Sequence, residues 1–543
     1  MTAAADPAPS PAGPAALPAA RSWLLLGVLT VAAAMDAVNS TVLVVTRGHV
    51  MGGIHATQDE VAWVNIAYLV AKLTAFPLAA WLTLRLAPRR LLAGAILVLL
   101  ASALGAAAAG GLGVLVAWRI AQGVAGAVLL VTGQSLLFRV FPRSRQGLVQ
   151  AVFAFATTVA PTTLSPALQG WTVDTLSWSW MFLANVPLGL AGLAAVLLAP
   201  THRDRPAATG RPDWPGLVLL GAAMTAFVYV TQEGSRHNWF DEPEIVHVSL
   251  AGLAAATAFL AWQALRPKRG ALIDAAVFRD EHFSFGFIVS FVAGGALFGS
   301  AFVIPAFATG VLGLSPTYAG LLLLPSGALV CIGLLGAGAV IQFRQLDPAK
   351  LVPFGIVCFM TSMWMLSGST SESGLPDMVP ALLLRGLGLG LLFVSLTVGT
   401  LRDLRPEVLA QGVALFNIGR QMGGQIGVAG LATYLDHQNA LNRTVLAQHL
   451  APGNPVLADR QEAIAAVLTA RGYPAEEAGS AANAVIQQAF AQQVATLSFN
   501  ECFLAIALLF LVAAPVLVAT KLTLARLTGH ASHAAHGRHP QIS

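Results

Sequence analysis

Charge is what this 543-residue sequence has least of: Asp, Glu, Lys and Arg together make up 10% of it, against 56% hydrophobic residues. Soluble globular chains carry about 25% charged residues, so a water-soluble domain is excluded. The mean hydropathy of +0.72 says the same. Cysteine is nearly absent too. Cys331, Cys358 and Cys502 stand far apart in apolar runs, which excludes a disulfide framework and a thiolate metal motif. No GxxxxGK[ST] sequence occurs, which removes ATP hydrolysis as a source of energy. Nothing else points to catalysis, a cofactor or a metal. The net charge is +5, but the basic residues fall in short clusters between apolar runs, so membrane topology explains them better than nucleic-acid binding.

What the chain does have is long hydrophobic runs. About 20 apolar residues cross a bilayer as a helix, and fourteen such runs occur, at roughly 22–46, 61–84, 91–109, 113–138, 147–171, 179–199, 214–233, 245–265, 283–309, 316–341, 351–368, 377–400, 408–434 and 499–520. With the amino terminus in the cytoplasm, 21 Lys/Arg fall inside, 5 outside and 4 within spans. That bias puts both termini inside, as an even number of spans requires. The first twenty residues are Pro/Ala-rich without a basic residue, and the run after them is too long for a signal-peptide core. Residues 1–21 therefore read as an uncleaved, disordered cytoplasmic tail. His530, His533, His536 and His539 recur every third residue in 526–543, which reads as a second disordered tail before it reads as a metal site. WRIAQGVAGAVLLVTG (118–133) and LRGLGLGLLFVSLTVG (384–399) echo each other, and each precedes a basic loop and a QG pair, Gln146-Gly147 and Gln411-Gly412. The expected fold is an all-α membrane protein of 14 transmembrane helices. Two six-helix halves, 22–199 and 271–525, flank an inserted pair in 200–270, an arrangement of transporters.

Charges inside the bilayer need a partner or a cavity, because each costs at least ~2.5 kcal/mol near the centre. Asp36 is the only carboxylate deep in a span, and Lys72 in the next span lies at a matching depth. Asn39 and Ser40 follow Asp36 at i+3 and i+4, and Asn65 and Tyr68 precede Lys72 at i−7 and i−4, so each helix carries one polar stripe. Two stripes at one depth suggest a cavity wall; the alternative is a permanent Asp36–Lys72 pair tying two helices together. Arg119, with Gln122 on its face, is either a coupling residue or a structural tie, and Arg385 reads as structural. In FNIGRQMGGQIGVAG, Gly419, Gly423 and Gly427 form a small-residue seam for helix packing. Asn417, Arg420 and Gln421 lie on another part of that helix, toward the cavity.

These motifs jointly resemble the major facilitator superfamily and, over nearly the whole length, its fourteen-span drug:proton antiporters of the EmrB/QacA type. MDAVNSTVLVV resembles that family's first-helix motif, and RIAQGVAGA (119–127) its fourth-helix RxxQGxxxA motif. LSPALQGWTVDTLSWSWMFLANVPLG (164–189) resembles the antiporter motif GPxxGG and the sequence after it. Here Ser165-Pro166 and Gln169-Gly170 replace the GP and GG pairs, which predicts looser packing. The loop motif after the second span survives only as AWLTLRLAPRR, without its Asp. The resemblance implies export of amphipathic small molecules, driven by proton entry, from the bacterial inner membrane. Asp36 and Arg119 are then the proton-coupling residues; Asn39, Ser40, Asn65, Tyr68, Lys72, Gln122, Asn417, Arg420 and Gln421 line the substrate cavity. Ser165, Pro166, Gln169 and Gly170 serve the conformational change.

The outside loop of 435–498 contains two helical pieces between Pro/Gly breaks. In relatives such loops go with a periplasmic adaptor protein and an outer-membrane channel, which become expected partners beside protons and membrane lipid. Lys72 leaves a metabolite or an anionic amphiphile, such as a fatty acid, open as cargo. Proton-coupled symport and a non-transporting membrane scaffold or sensor are the rival readings.

Overall fold

The computed structural model describes residues 19–198, 212–265, 272–450 and 454–536, with side chains as far as Val512 in the last stretch. The linkers at 199–211 and 266–271, most of the amino-terminal tail, and the His-rich tail's side chains lie outside the described residues. No strand occurs among those described. The spans are α1 (Ala19–Ser40), α2 (Gln58–Thr83), α3 (Pro88–Ala107), α4 (Leu112–Val140) and α5 (Arg143–Thr175). They continue as α6 (Trp180–Leu198), α7 (Trp214–Glu233), α8 (Pro243–Leu265), α9 (Glu281–Gly310) and α10 (Pro316–Phe343). The last four are α11 (Pro348–Leu366), α12 (Leu375–Leu401), α13 (Pro406–Ala447) and α14 (Ala475–His536). Thirteen of them are long and apolar enough to cross a membrane. The other, α13, carries Asn417, Arg420, Gln421 and Gln425, and these polar residues lower its hydropathy even though the helix is largely buried between Leu409 and Gly424.

Local chemistry sets several ends. Thr57 caps α2 by accepting from the Glu60 N–H, while the Glu60 carboxylate accepts from the Thr57 N–H at 2.8 Å, the reciprocal arrangement that TxxE encodes. In α5 the stretch Phe155–Leu164 is π-helical around Pro161. Proline has no N–H to give the preceding turn, and wider turns accommodate the missing bond.

Duplication is visible in the packing. In the first half α2 packs on α4, α3 on α4 and α6, and α1 on α4, α5 and α6. The same pairings recur eight spans later: α10 on α12, α11 on α12 and α14, and α9 on α12, α13 and α14. The halves meet along two seams, α2 against α13 and α5 against α10, which interchange when the halves are exchanged. The inserted α7 lies over the α2/α13 seam, and α8 packs chiefly on α7. Leu250, Leu253 and Leu260 of α8 are exposed, an apolar face suited to hydrocarbon.

The α5/α10 seam corrects the expectation of loose packing. A Cβ at Gly170 would lie 2.6 Å from the Pro316 carbonyl oxygen, and near the other end a Cβ at Gly147 would lie 2.3 Å from that of Gly338, so the backbones touch. Ser165 and Gln169 point instead toward α1, where Ser165 accepts from the Thr41 hydroxyl at 2.8 Å. The stretch 435–498 is also more regular than a loop. α13 runs on to Ala447, a separate helix spans Pro455–Ala470, and the second expected piece is the start of α14 itself.

The α9/α13 contact rests on the seam Gly419, Gly423, Gly427. A Cβ at Gly423 would lie 1.9 Å from the Phe291 carbonyl oxygen, whereas Gly430 on the same helix has open space. Overpacking at such a site costs about 1–3 kcal/mol. Gly423→Ala is expected to lower the thermal midpoint of detergent-purified protein by several degrees, and Gly430→Ala to leave it level or raise it slightly.

Candidate functional site

Asp36 in α1 is 1% exposed, so its carboxylate has to be answered by protein groups. Lys72 Nζ of α2 donates to Oδ2 at 2.6 Å, and Tyr68 OH donates to Oδ1 at 2.7 Å while accepting from Lys72 Nζ at 3.0 Å. The four-residue spacing of Tyr68 and Lys72 puts both on one face of α2. The third wall is α4. A Cβ at Gly126 would lie 1.8 Å from Asp36 Oδ1, so the carboxylate occupies a notch that only glycine leaves.

Arg119, fully buried, extends this knot toward the hairpin end of the bundle, where α13 and α14 project. Its Nε donates to the Val64 carbonyl, and one terminal nitrogen donates to the Asn39 carbonyl and to Gln122 Oε1, each at 2.9 Å. The guanidinium also lies 4.3 Å from the Tyr68 ring centroid, a cation–π contact. Asn185 of α6 donates to Asn39 Oδ1 at 3.3 Å. The sequence-predicted set Asp36, Asn39, Tyr68, Lys72, Arg119 and Gln122 is therefore one continuous buried network.

Arg385, the echo of Arg119, reaches Ser300 and Ser326 through both ends of its guanidinium at 3.0–3.1 Å. It braces α12 against α9 and α10. Asn417 and Arg420 form a separate cluster: Arg420 donates to Asn417 Oδ1 at 2.6 Å, and Asn417 Nδ2 donates across the halves to Gln134 of α4 at 3.1 Å. Gln134 was not anticipated, although a glutamine inside the apolar run of α4 is a visible signal.

Between the halves lies a cavity of about 360 Å³, within the range of small-molecule sites. Ser40, Asn65, Gln421 and Pro166 line it, as do the unanticipated Thr41, Arg47, Thr162, Gln232 and Gln425. Its apolar wall includes Leu69, Phe298, Phe302 and Val428. Asp36, Asn39, Tyr68, Lys72, Gln122, Asn417 and Arg420 do not line it. The expectation of a wall bearing both charges is corrected: Asp36 lies about one helical turn below Ser40, about 6 Å along the helix, with its charge already paired with Lys72. Charges taken out of water are found paired with each other.

The inserted α7 contributes to this wall. Asn65 donates to Gln232 Oε1 at 3.5 Å, and Gln232 donates to Gln425 Oε1 at 2.5 Å, linking α2, α7 and α13. Just beyond, Arg236 pairs with Asp59 of α2 and with Glu233, Ser235 donates to Asp436 of α13 at 2.8 Å, and Trp239 donates to Thr433 at 2.9 Å. The segment after α7 thus fastens both halves at the hairpin end. Burial lowers the Arg47 guanidinium from its ordinary value, with Glu233 opposing that shift; an arginine keeps its charge throughout the physiological range. Gln232 escaped notice because it stands at the end of α7, where polar residues are ordinarily solvated, and Arg47, counted from the sequence as an outside charge, sits instead within a short helix, Leu43–Ile54, that follows α1.

A family model described as Major Facilitator Superfamily matches residues 26–428. The chain is 30% identical over 415 residues, 76% of each protein, to a multidrug resistance protein B homolog of Mycobacterium tuberculosis. It is 26% identical over 504 residues to the fatty acid resistance protein FarB of Neisseria gonorrhoeae, covering 92% of this chain and 96% of that one. Among solved structures, the proton:xylose symporter XylE shares the fold with a TM-score of 0.54 at 12% identity, over 90% of this chain and 95% of that one.

The notch at Gly126 and the carboxylate of Asp36 should be energetically coupled. Gly126→Ala is expected to lower the thermal midpoint, and to do so far less in an Asp36→Ala background. A double-mutant cycle on purified protein should return a coupling of about 1 kcal/mol or more.

Proposed function

Because the chain belongs to the Major Facilitator Superfamily, we propose that it is a proton-coupled antiporter that exports amphipathic small molecules by alternating access of its two halves. The observation that carries this reading is the Asp36–Lys72–Tyr68 knot set one turn below the inter-half cavity. A proton arriving on Asp36 removes the negative charge that pairs with Lys72 and occupies one of the two oxygens that Lys72 and Tyr68 engage. The α1–α2 contact then loosens beside the cavity, and Arg119, which holds the backbones of α1 and α2 through Asn39 and Val64, transmits the change to α4. A ligand drives a conformational change only by preferring one state, so cargo and proton favour opposite states. One proton entering down a 100 mV potential supplies ~2.3 kcal/mol, enough for a concentration ratio of about fortyfold. The similarity to a multidrug resistance protein supports export over import.

The excess of basic residues on the loops facing the terminal end supports both termini in the cytoplasm. The helical projection built from α13, Pro455–Ala470 and α14 then extends into the periplasm and supports docking of an adaptor protein leading to an outer-membrane channel. Cofactors and catalysis have no place in this scheme.

In proteoliposomes, Asp36→Asn should abolish efflux driven by a pH gradient while leaving gradient-free exchange of cargo measurable; full gradient-driven transport would refute the assignment. Deleting 440–490 should abolish adaptor pull-down and cellular resistance while purified protein still transports. If resistance and pull-down both survive the deletion, the projection is not the docking element.

A further inference from the structure

Among the residues lining the cavity, Arg47 is the one that carries a charge; the rest of its polar wall is hydroxyl and amide. Resting on the export reading, we infer that the cargo is a singly anionic amphiphile. Its carboxylate or sulfonate head engages Arg47, and its apolar body lies against Leu69, Phe298, Phe302 and Val428.

Arg47 has donor capacity to spare. One terminal nitrogen donates to the Gln58 carbonyl at 2.9 Å, while its Nε is buried without a protein acceptor. The neighbouring carboxylates are already engaged: Asp59 and Glu233 both pair with Arg236, and Asp36 pairs with Lys72. None of the three lines the cavity. Asp59 and Glu233 act on Arg47 through space, but neither faces a molecule in the cavity. A cationic cargo would meet Arg47 with no carboxylate on the wall to receive its own charge, and in a confined apolar space that repulsion is poorly screened. A carboxylate or sulfonate supplies the acceptor that Arg47 lacks, in the geometry for which a guanidinium is built. Gln421 adds a second polar contact: it is 8% exposed, lines the cavity, and has no side-chain hydrogen bond among the described residues. An amphiphile with one charged head and a compact apolar body suits the modest volume.

Equilibrium binding to purified protein, without any gradient, tests this with three probes of matched size: 2-naphthaleneacetate, the neutral 2-naphthaleneethanol and the cationic 2-naphthaleneethylamine. The wild type should bind the acetate at least about tenfold more tightly than the amine, as a charge-assisted hydrogen bond implies. Arg47→Gln should remove that preference with the alcohol's affinity unchanged, and Arg47→Lys should restore part of it. A wild type that favours the amine or binds none of the three overturns the inference, as does Arg47→Gln weakening all three alike. Because the wild-type ranking decides by itself, misfolding of a variant leaves the test intact. Anion binding without gradient-driven efflux would sink the export reading alone. Gradient-driven efflux of the amine without anion binding would sink this inference alone.

Discussion

A carboxylate can stay ionised inside a hydrocarbon layer only if something within reach returns the energy that water would have supplied. Around Asp36 that duty falls on Lys72 and Tyr68 from one helix, while Gly126 on another leaves the space the carboxylate occupies. Three spans are thereby committed to a single oxygen pair. Replacing such a pair with well-packed apolar groups is often neutral or stabilising, so stability alone is a weak reason for its presence. Under the proposed coupling a switch would be a better one, because one proton would change the bonding between α1 and α2 where α4 closes on them.

The rest of the architecture supplies what such a switch would move. Two like seams join the halves. One is a backbone contact with glycines near both ends; the other is overlain by α7, whose Gln232 joins both sides through neutral amides. Amide-to-amide bonds of this kind are modest in net strength, whereas the Arg236 pairs near the mouth hold by charge. The inserted α7 is therefore part of the cavity as well as a covering for it.

Much of this was legible beforehand. Fourteen spans, the duplicated halves and the matched depth of Asp36 and Lys72 all follow from hydropathy and helical spacing, which depend on local sequence. The echo of Arg119 in Arg385 was readable too, and the serines around Arg385 suit the bracing role read from it. What escaped was whatever depends on a partner distant in sequence. Periodicity gives the face on which a residue lies, but not whether that face meets a cavity or another charge, so Lys72 and Arg420 were expected on a wall they sit behind. Gln232, in the inserted pair, could be placed only once α7 was known to cover the α2/α13 seam. In the stretch after α13 the two helical pieces were readable, but their continuity was not: polar residues lower the hydropathy beyond the spans, so boundaries drawn by hydropathy cut α13 and α14 short of Ala447 and Ala475.

One feature of that stretch has a mechanical meaning. The described side chains of α14 follow an uninterrupted helix from Ala475 to Val512, roughly 57 Å at 1.5 Å per residue. Its far portion leans on α9 and α11 within the second half. A helix transmits a push along its axis because yielding would break its own hydrogen-bond ladder. Whatever grips the tip of this rod grips the second half with it, so the projection is a handle on the rocking body and not a tether beside it.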